Sequence, residues 1–217
     1  MRRLFDVNNP LMRFLTSVFD LIIFSVLWAV FSIPVFTMGA ASAALYSAVY
    51  PHVRKGEDYL WNSFWEPFKE NFKRSTLAWL VALAILGLLV FDAIVFRSMW
   101  IQGKPFGWVY WGVLVLLVFA VTWTLYLAAY SARFQGTVKD VLKFSFILFR
   151  AHPLILLSMI VMVVGAFALG LTLPALVIII PGVVFWGSTF PMEAVFLKHM
   201  RPEDLERIQR EKEEKNE

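Results

Sequence analysis

Two stretches without a single Asp, Glu, Lys or Arg, residues 105–132 and 151–192, constrain this chain more than any other feature. A helix needs about 20 apolar residues to cross the roughly 30 Å hydrocarbon core of a bilayer. The first stretch holds one such segment and the second holds two. In hydrocarbon every backbone N–H and C=O must be satisfied within the protein, so the crossing segments must be helices. Composition agrees: 59% of the residues are hydrophobic and 17% are charged, against about 25% charged in an average soluble chain. The expected fold class is all-α, a polytopic helical membrane protein lying in a lipid bilayer.

Taken in order, the apolar segments predict spans at about 14–33, 40–53, 76–96, 108–130, 153–171 and 175–197. Residues 1–200 then form a single transmembrane domain, followed by a charged tail over 201–217 with Glu–Arg and Glu–Lys pairs at helical i,i+4 spacing. The piece 40–53 is the odd one. At 1.5 Å per residue it reaches only about 21 Å, which makes it either a tilted span or a re-entrant helix. Pro34 and Gly39 precede it, and the run Ala40, Ala41, Ser42, Ala43, Ala44 opens it. Pro34 interrupts the first helix, and small residues let a neighbouring helix approach closely. Ser42 and Ser47 read as helix-packing residues for the same reason.

Two segments carry charge on one face and bulk on the other. In 54–75, Trp61, Phe64, Trp65, Phe68 and Phe72 recur at helical spacing among Glu66, Lys69, Glu70 and Lys73. This predicts an amphipathic interfacial or docking helix, divided in two by Pro67. In 137–150, Thr137 and Asp140 have capping-box spacing, and Val138, Val141, Leu142, Ser145 and Leu148 share a face. Each segment leads into a hydrophobic span, which suggests a coarse repeat over 64–97 and 138–171. The whole reads as three helical hairpins joined by two interfacial helices.

Charge placement orients the hairpins. With six crossings, eighteen of the twenty Lys and Arg residues fall on one side and two, Arg97 and Lys104, on the other. Cytoplasmic loops carry the excess of Lys and Arg, so both termini are expected to be cytoplasmic, in a cell (inner) membrane. The net charge of +4 is spent on this asymmetry, and nucleic acid is not an expected partner. No secretory signal with an A-x-A-like cleavage site is recognisable.

The reactive inventory is small. There is no cysteine, which removes disulfides and thiolate chemistry. His52, His152 and His199 stand alone, and no nucleophile elbow, phosphate loop or dinucleotide fingerprint occurs. No catalytic, cofactor-binding or metal residues are assigned, no cofactor is expected, and the chain does not read as an enzyme. Three acids fall within or near the spans: Asp20, Asp92 and Glu193. A charge in hydrocarbon is costly and faces a partner, a cavity or an interface. The neighbouring bases Arg13, Arg97 and Lys198 are the expected partners. The alternative is a polar path.

The run SIPVFTMGAASAALYS followed by GEDYLW and FWEPFKENFKRST resembles the YesL family of bacterial membrane proteins. Pro34, Thr37, Gly39, Ala44, Leu45 and Tyr46 match the first family motif. Phe64, Phe68, Lys69, Asn71, Phe72 and Lys73 match the second. Ser25 stands where members often carry Asn. The resemblance implies an accessory or regulatory role in carbohydrate uptake, with sugar ABC transporter subunits as partners and no defined catalytic residues. The alternative is an independent small-solute permease, with its path near Asp20 and the Pro181–Pro191 helix.

Overall fold

The structure is a computed structural model that describes residues 10–55 and 60–199. These residues form seven α-helices: α1 (Pro10–Phe31), α2 (Met38–Lys55), α3 (Leu60–Ile101), α4 (Val109–Arg133), α5 (Val138–Ala151), α6 (Pro153–Thr172) and α7 (Ile180–His199). Short 3-10 turns at Val35–Thr37 and Pro174–Ile178 join α1 to α2 and α6 to α7. Three helices, α3, α4 and α6, are long and apolar enough to cross a membrane. The all-α membrane class therefore stands. The charged tail at 201–217 lies outside the described residues.

Helix α2 is the inner helix of the bundle. Ala40, Ala41, Ala43, Ala44, Leu45, Tyr46, Ala48 and Val49 are all fully buried, and α1, α3, α4 and α7 pack around them. Six of these eight positions are not larger than valine, so the surrounding helices can close in on the α2 backbone. α1 runs antiparallel to it, with Trp28 Nε1 donating to Ser42 Oγ at 3.0 Å. The first half of α3 runs antiparallel along its other side, from the link after Lys55 up to Ser75 and Trp79 beside Gly39. From there α3 continues past the α1–α2 turn to Ile101, paired with α4. That remaining stretch, Trp79 to Ile101, is about 33 Å long at 1.5 Å per residue.

Several expectations are corrected here. Pro67 does not divide the amphipathic segment; α3 runs unbroken from Leu60 through Pro67 to Ile101. One missing N–H costs a single helical bond, and the buried Phe64 and Phe68 on either side of Pro67 hold the two turns against the core. The repeat is also imperfect, because α3 joins amphipathic segment and span in one helix while α5 and α6 are separated at His152. Pro181 and Pro191 suggest a kinked or broken last helix; the irregular backbone instead precedes Pro181, in the 3-10 turn at Pro174–Ile178, and α7 runs through Pro191. Helix α5 agrees with its pattern: the capping box is formed, and Val141, Ser145 and Leu148 are buried.

Candidate functional site

The turn that opens α2 carries its own hydrogen bonds. Pro34 ends the α1 segment, and the carbonyls around it lose their helical partners. The Thr37 hydroxyl lies 2.6 Å from the Phe31 carbonyl and 2.7 Å from that of Pro34, sharing one proton between them. Trp79 Nε1 of α3 donates to the Val35 carbonyl at 2.8 Å. The tip outside these bonds is apolar and bare: Ile33 is 77% exposed, and Val35 and Phe36 are about half exposed (55% and 51%). Irregular backbone at membrane depth is tolerated where its polar groups are satisfied by the protein. This turn meets that condition at each of the three carbonyls.

Gly39 seats the turn on α3. A Cβ built there would overlap the Trp79 Cβ and lie 2.7 Å from the Ser75 carbonyl. Gly182, at the start of α7, is held the same way against α1: a Cβ would lie 2.8 Å from the Leu21 carbonyl. There the Ser25 hydroxyl accepts from the Gly182 N–H at 2.9 Å and donates to the Leu21 carbonyl at 2.7 Å. The N–H groups of a helix's first turn have no intrahelical acceptor. Ser25 thus caps α7 from 157 residues away in sequence.

At the other end of α2 lies a buried ionic cluster. Glu193 of α7, 3% exposed, receives Arg133 Nη2 of α4 on Oε2 at 2.6 Å and the Tyr46 hydroxyl of α2 on Oε1 at 3.3 Å. The Arg133 guanidinium lies over the Tyr50 ring, 4.6 Å from its centroid. One carboxylate therefore ties α2, α4 and α7 together. Beside it, Arg74 of α3 donates to the Ser131 carbonyl at 2.6 Å and to the Asn71 side chain, whose Nδ2 donates back to the Pro67 carbonyl at 3.0 Å. The Ser131 carbonyl is among the last four of α4, which lack helical partners and carry the negative end of the helix dipole. An arginine is the fitting group there.

The predicted residues sort accordingly. Pro34, Thr37 and Gly39 build the turn, Ala44 and Leu45 fill the core, and Tyr46 joins the ionic cluster. Of the expected docking aromatics, Phe64 and Phe68 are core residues in tilted ring contact with Phe31, so they are not free for a partner. Trp61 is exposed, and Trp65 and Phe72 are half-buried. Glu193 pairs with Arg133; the side chain of Lys198, the expected partner, lies outside the described residues. No ion pair links Asp92 to Arg97 among the described residues. Asp20 is buried in α1, and the Arg13 side chain expected beside it lies outside the described residues. Arg133, Tyr50 and Arg74 were not singled out by the sequence.

Outside the spans, the carboxyl of Asp140 is held below its ordinary value of 3.8 by the backbone N–H and hydroxyl of Thr137. Among the described residues no three His, Cys, Asp or Glu side chains gather into a metal-binding group. The arrangement binds helices to one another.

Residues 21–93 match the family described as protein of unknown function, DUF624. The matched region runs from the middle of α1 through the turn and α2 into the apolar part of α3, and so contains the stapled turn and its Gly39 seat. No curated protein and no solved structure matches the chain.

Proposed function

We propose that this chain is a non-enzymatic, multi-pass protein of the bacterial cell membrane that serves as an accessory partner of a carbohydrate uptake system of the ABC type. The observation that carries this reading is the first half of α3. One face of it, with Phe64, Phe68 and Asn71, is locked in the core, while Trp61, Glu66, Lys69, Glu70 and Lys73 are exposed on the other. A charged face on a helix that cannot rotate is a fixed surface for a subunit, and the YesL resemblance suggests which kind. Co-purification of a transporter subunit with the full-length chain tests this. Lys69→Glu with Lys73→Glu should abolish the association at unchanged membrane level; association indifferent to that reversal refutes the surface.

In the topology we propose, α3, α4, α6 and α7 cross the bilayer and both termini are cytoplasmic. The α1–α2 hairpin enters from the cytoplasmic side and returns to it without reaching the far surface. This keeps eighteen Lys and Arg residues inside, as six crossings do, because a hairpin adds no net crossing at any depth. The satisfied, apolar tip and the 33 Å of α3 beyond it support the shallower hairpin.

A solute permease is the second reading, favoured by one observation. Asp20 is buried directly beside Leu21 and five residues before Ser25, the two residues that meet the start of α7. Solute flux into proteoliposomes holding only this chain, lost in Asp20→Asn, would replace the accessory reading.

A further inference from the structure

A groove of about 1,060 Å³ opens between α3, α4 and α5 on the outside of the bundle. Val81, Ile85 and Leu89 of α3 form one wall, and Leu116, Phe119 and Trp123 of α4 form the floor. α5 forms the second wall through Leu142, Phe146 and Ile147, and adds two charged groups, Lys139 and Lys143. These lysines are exposed, sit one helical turn apart on the first half of α5, and form no ion pair among the described residues. No acid lines the groove. The nearby Asp140 is turned to its capping box, with Thr137 N–H and hydroxyl both donating to its Oδ2.

We propose that this groove is a binding site for one anionic phospholipid of the cytoplasmic leaflet, with its phosphate at Lys139 and Lys143 and its acyl chains along α3 and α4. Three features point to this occupant. The first is charge: Lys139 and Lys143 form no ion pair among the described residues, and no acid lines the groove. The nearby Asp140 is held by Thr137 and adds only a Coulombic attraction to Lys143, so the lining selects an anion. The second is order: both cations sit at the α5 start, just after Arg133 and at the Arg74 end of the α3–α4 hairpin, while the rest of the lining is hydrocarbon. The third is length. Val81 to Leu89 spans about 12 Å of helix, close to the roughly 15 Å depth of one leaflet's hydrocarbon. A second protein helix would fill the apolar part and leave both lysines without counter-charge.

The site is independent of the transporter reading, because it lies on α5 and the later turns of α3 and not on the Glu66–Lys73 face. The test uses the full-length protein in detergent, titrated with phosphatidylglycerol or phosphatidylcholine of identical acyl chains and read by native mass spectrometry. Phosphatidylglycerol should be retained in preference. Each lysine near an anionic headgroup is worth a factor of about five, so Lys139→Gln with Lys143→Gln should lower phosphatidylglycerol binding roughly thirty-fold and phosphatidylcholine, whose choline offsets its phosphate, far less. Ile85→Trp, which fills the groove, should lower retention of both lipids. Equal binding of the two lipids by the unsubstituted chain, or a preference that survives the lysine substitutions, overturns the proposal. So does disulfide dimerisation of an Ile85→Cys chain in native membranes, which would make a second copy the occupant.

Discussion

Replacing Arg133 by Met leaves the Glu193 carboxylate buried at 3% exposure with only the 3.3 Å Tyr46 hydroxyl to stabilise it. Removing one member of a buried ion pair costs about 3–5 kcal/mol, chiefly because the remaining charge is stranded. The Arg133 side chain is 23% exposed, so water reaches part of the site and the lower end applies, about 3 kcal/mol. For a chain of this size each kcal/mol shifts the melting temperature by about 2–4 °C, which gives a fall of roughly 6–12 °C. The reverse arm is the more informative. Arg133→Met combined with Glu193→Met strands no charge, only the Tyr46 hydroxyl at its long 3.3 Å bond, and replacing both ion-pair partners by apolar groups is near neutral or stabilising. The double variant should therefore melt within a few degrees of the unsubstituted protein. Thermal unfolding of the purified protein in one detergent, followed by tryptophan fluorescence, measures all three. A single variant as stable as the parent, or a double variant as unstable as the single, would refute the cluster as the tie between α4 and α7.

Gly39→Leu should destabilise by about 1–3 kcal/mol, the usual cost of overpacking, because its side chain must enter the Ser75–Trp79 wall; the same melting assay reads it. Thr37→Val keeps the shape of the turn, and the Pro34 carbonyl still accepts from the backbone N–H of residue 37 at 2.8 Å, but the Phe31 carbonyl loses its hydroxyl partner; the cost should be about 1–3 kcal/mol, with faster proteolysis between α1 and α2. The Asp140 carboxyl titrates below 3.8 in the folded chain, so its contribution is complete above the unfolded value. It is lost as pH falls from near 3.8 through the folded value. Hydrogen exchange in the first turn of α5 should accelerate over that window, and Asp140→Asn should remove the acid dependence.

Much of this architecture can be read from the residues, and what cannot has a physical cause. The three long apolar helices α3, α4 and α6 and the α5 capping box rest on uncharged length and on spacing of three residues, which sequence displays directly. The small-residue run at 40–44 rightly signalled close packing, and Gly39 is where the closeness is greatest. Pro67 misled because proline propensity is local, whereas the burial of Phe64 and Phe68 that overrides it is tertiary. Those two phenylalanines read as surface anchors because a stripe of aromatics at helical spacing looks the same whether it faces lipid headgroups or a neighbouring helix. The Arg133–Glu193 pair is 60 residues apart, beyond the reach of i,i+4 reasoning. It did leave a trace: Arg133 is the first charge after residues 105–132, and Glu193 the first after 151–192. The two residues that end the uncharged runs end them against each other.

The central structural claim is the depth of the α1–α2 hairpin. The chain has no cysteine, so single cysteines at positions 36 and 103 can be probed in intact cells with a membrane-impermeant maleimide. The hydrogen bond from Trp79 to Val35 and the helical run from Trp79 to Ile101 separate these positions by about a full hydrocarbon thickness. Position 103 should label and position 36 should not, while both label after denaturation in detergent. Labelling of both in intact cells would show six full crossings and contradict the shallow hairpin.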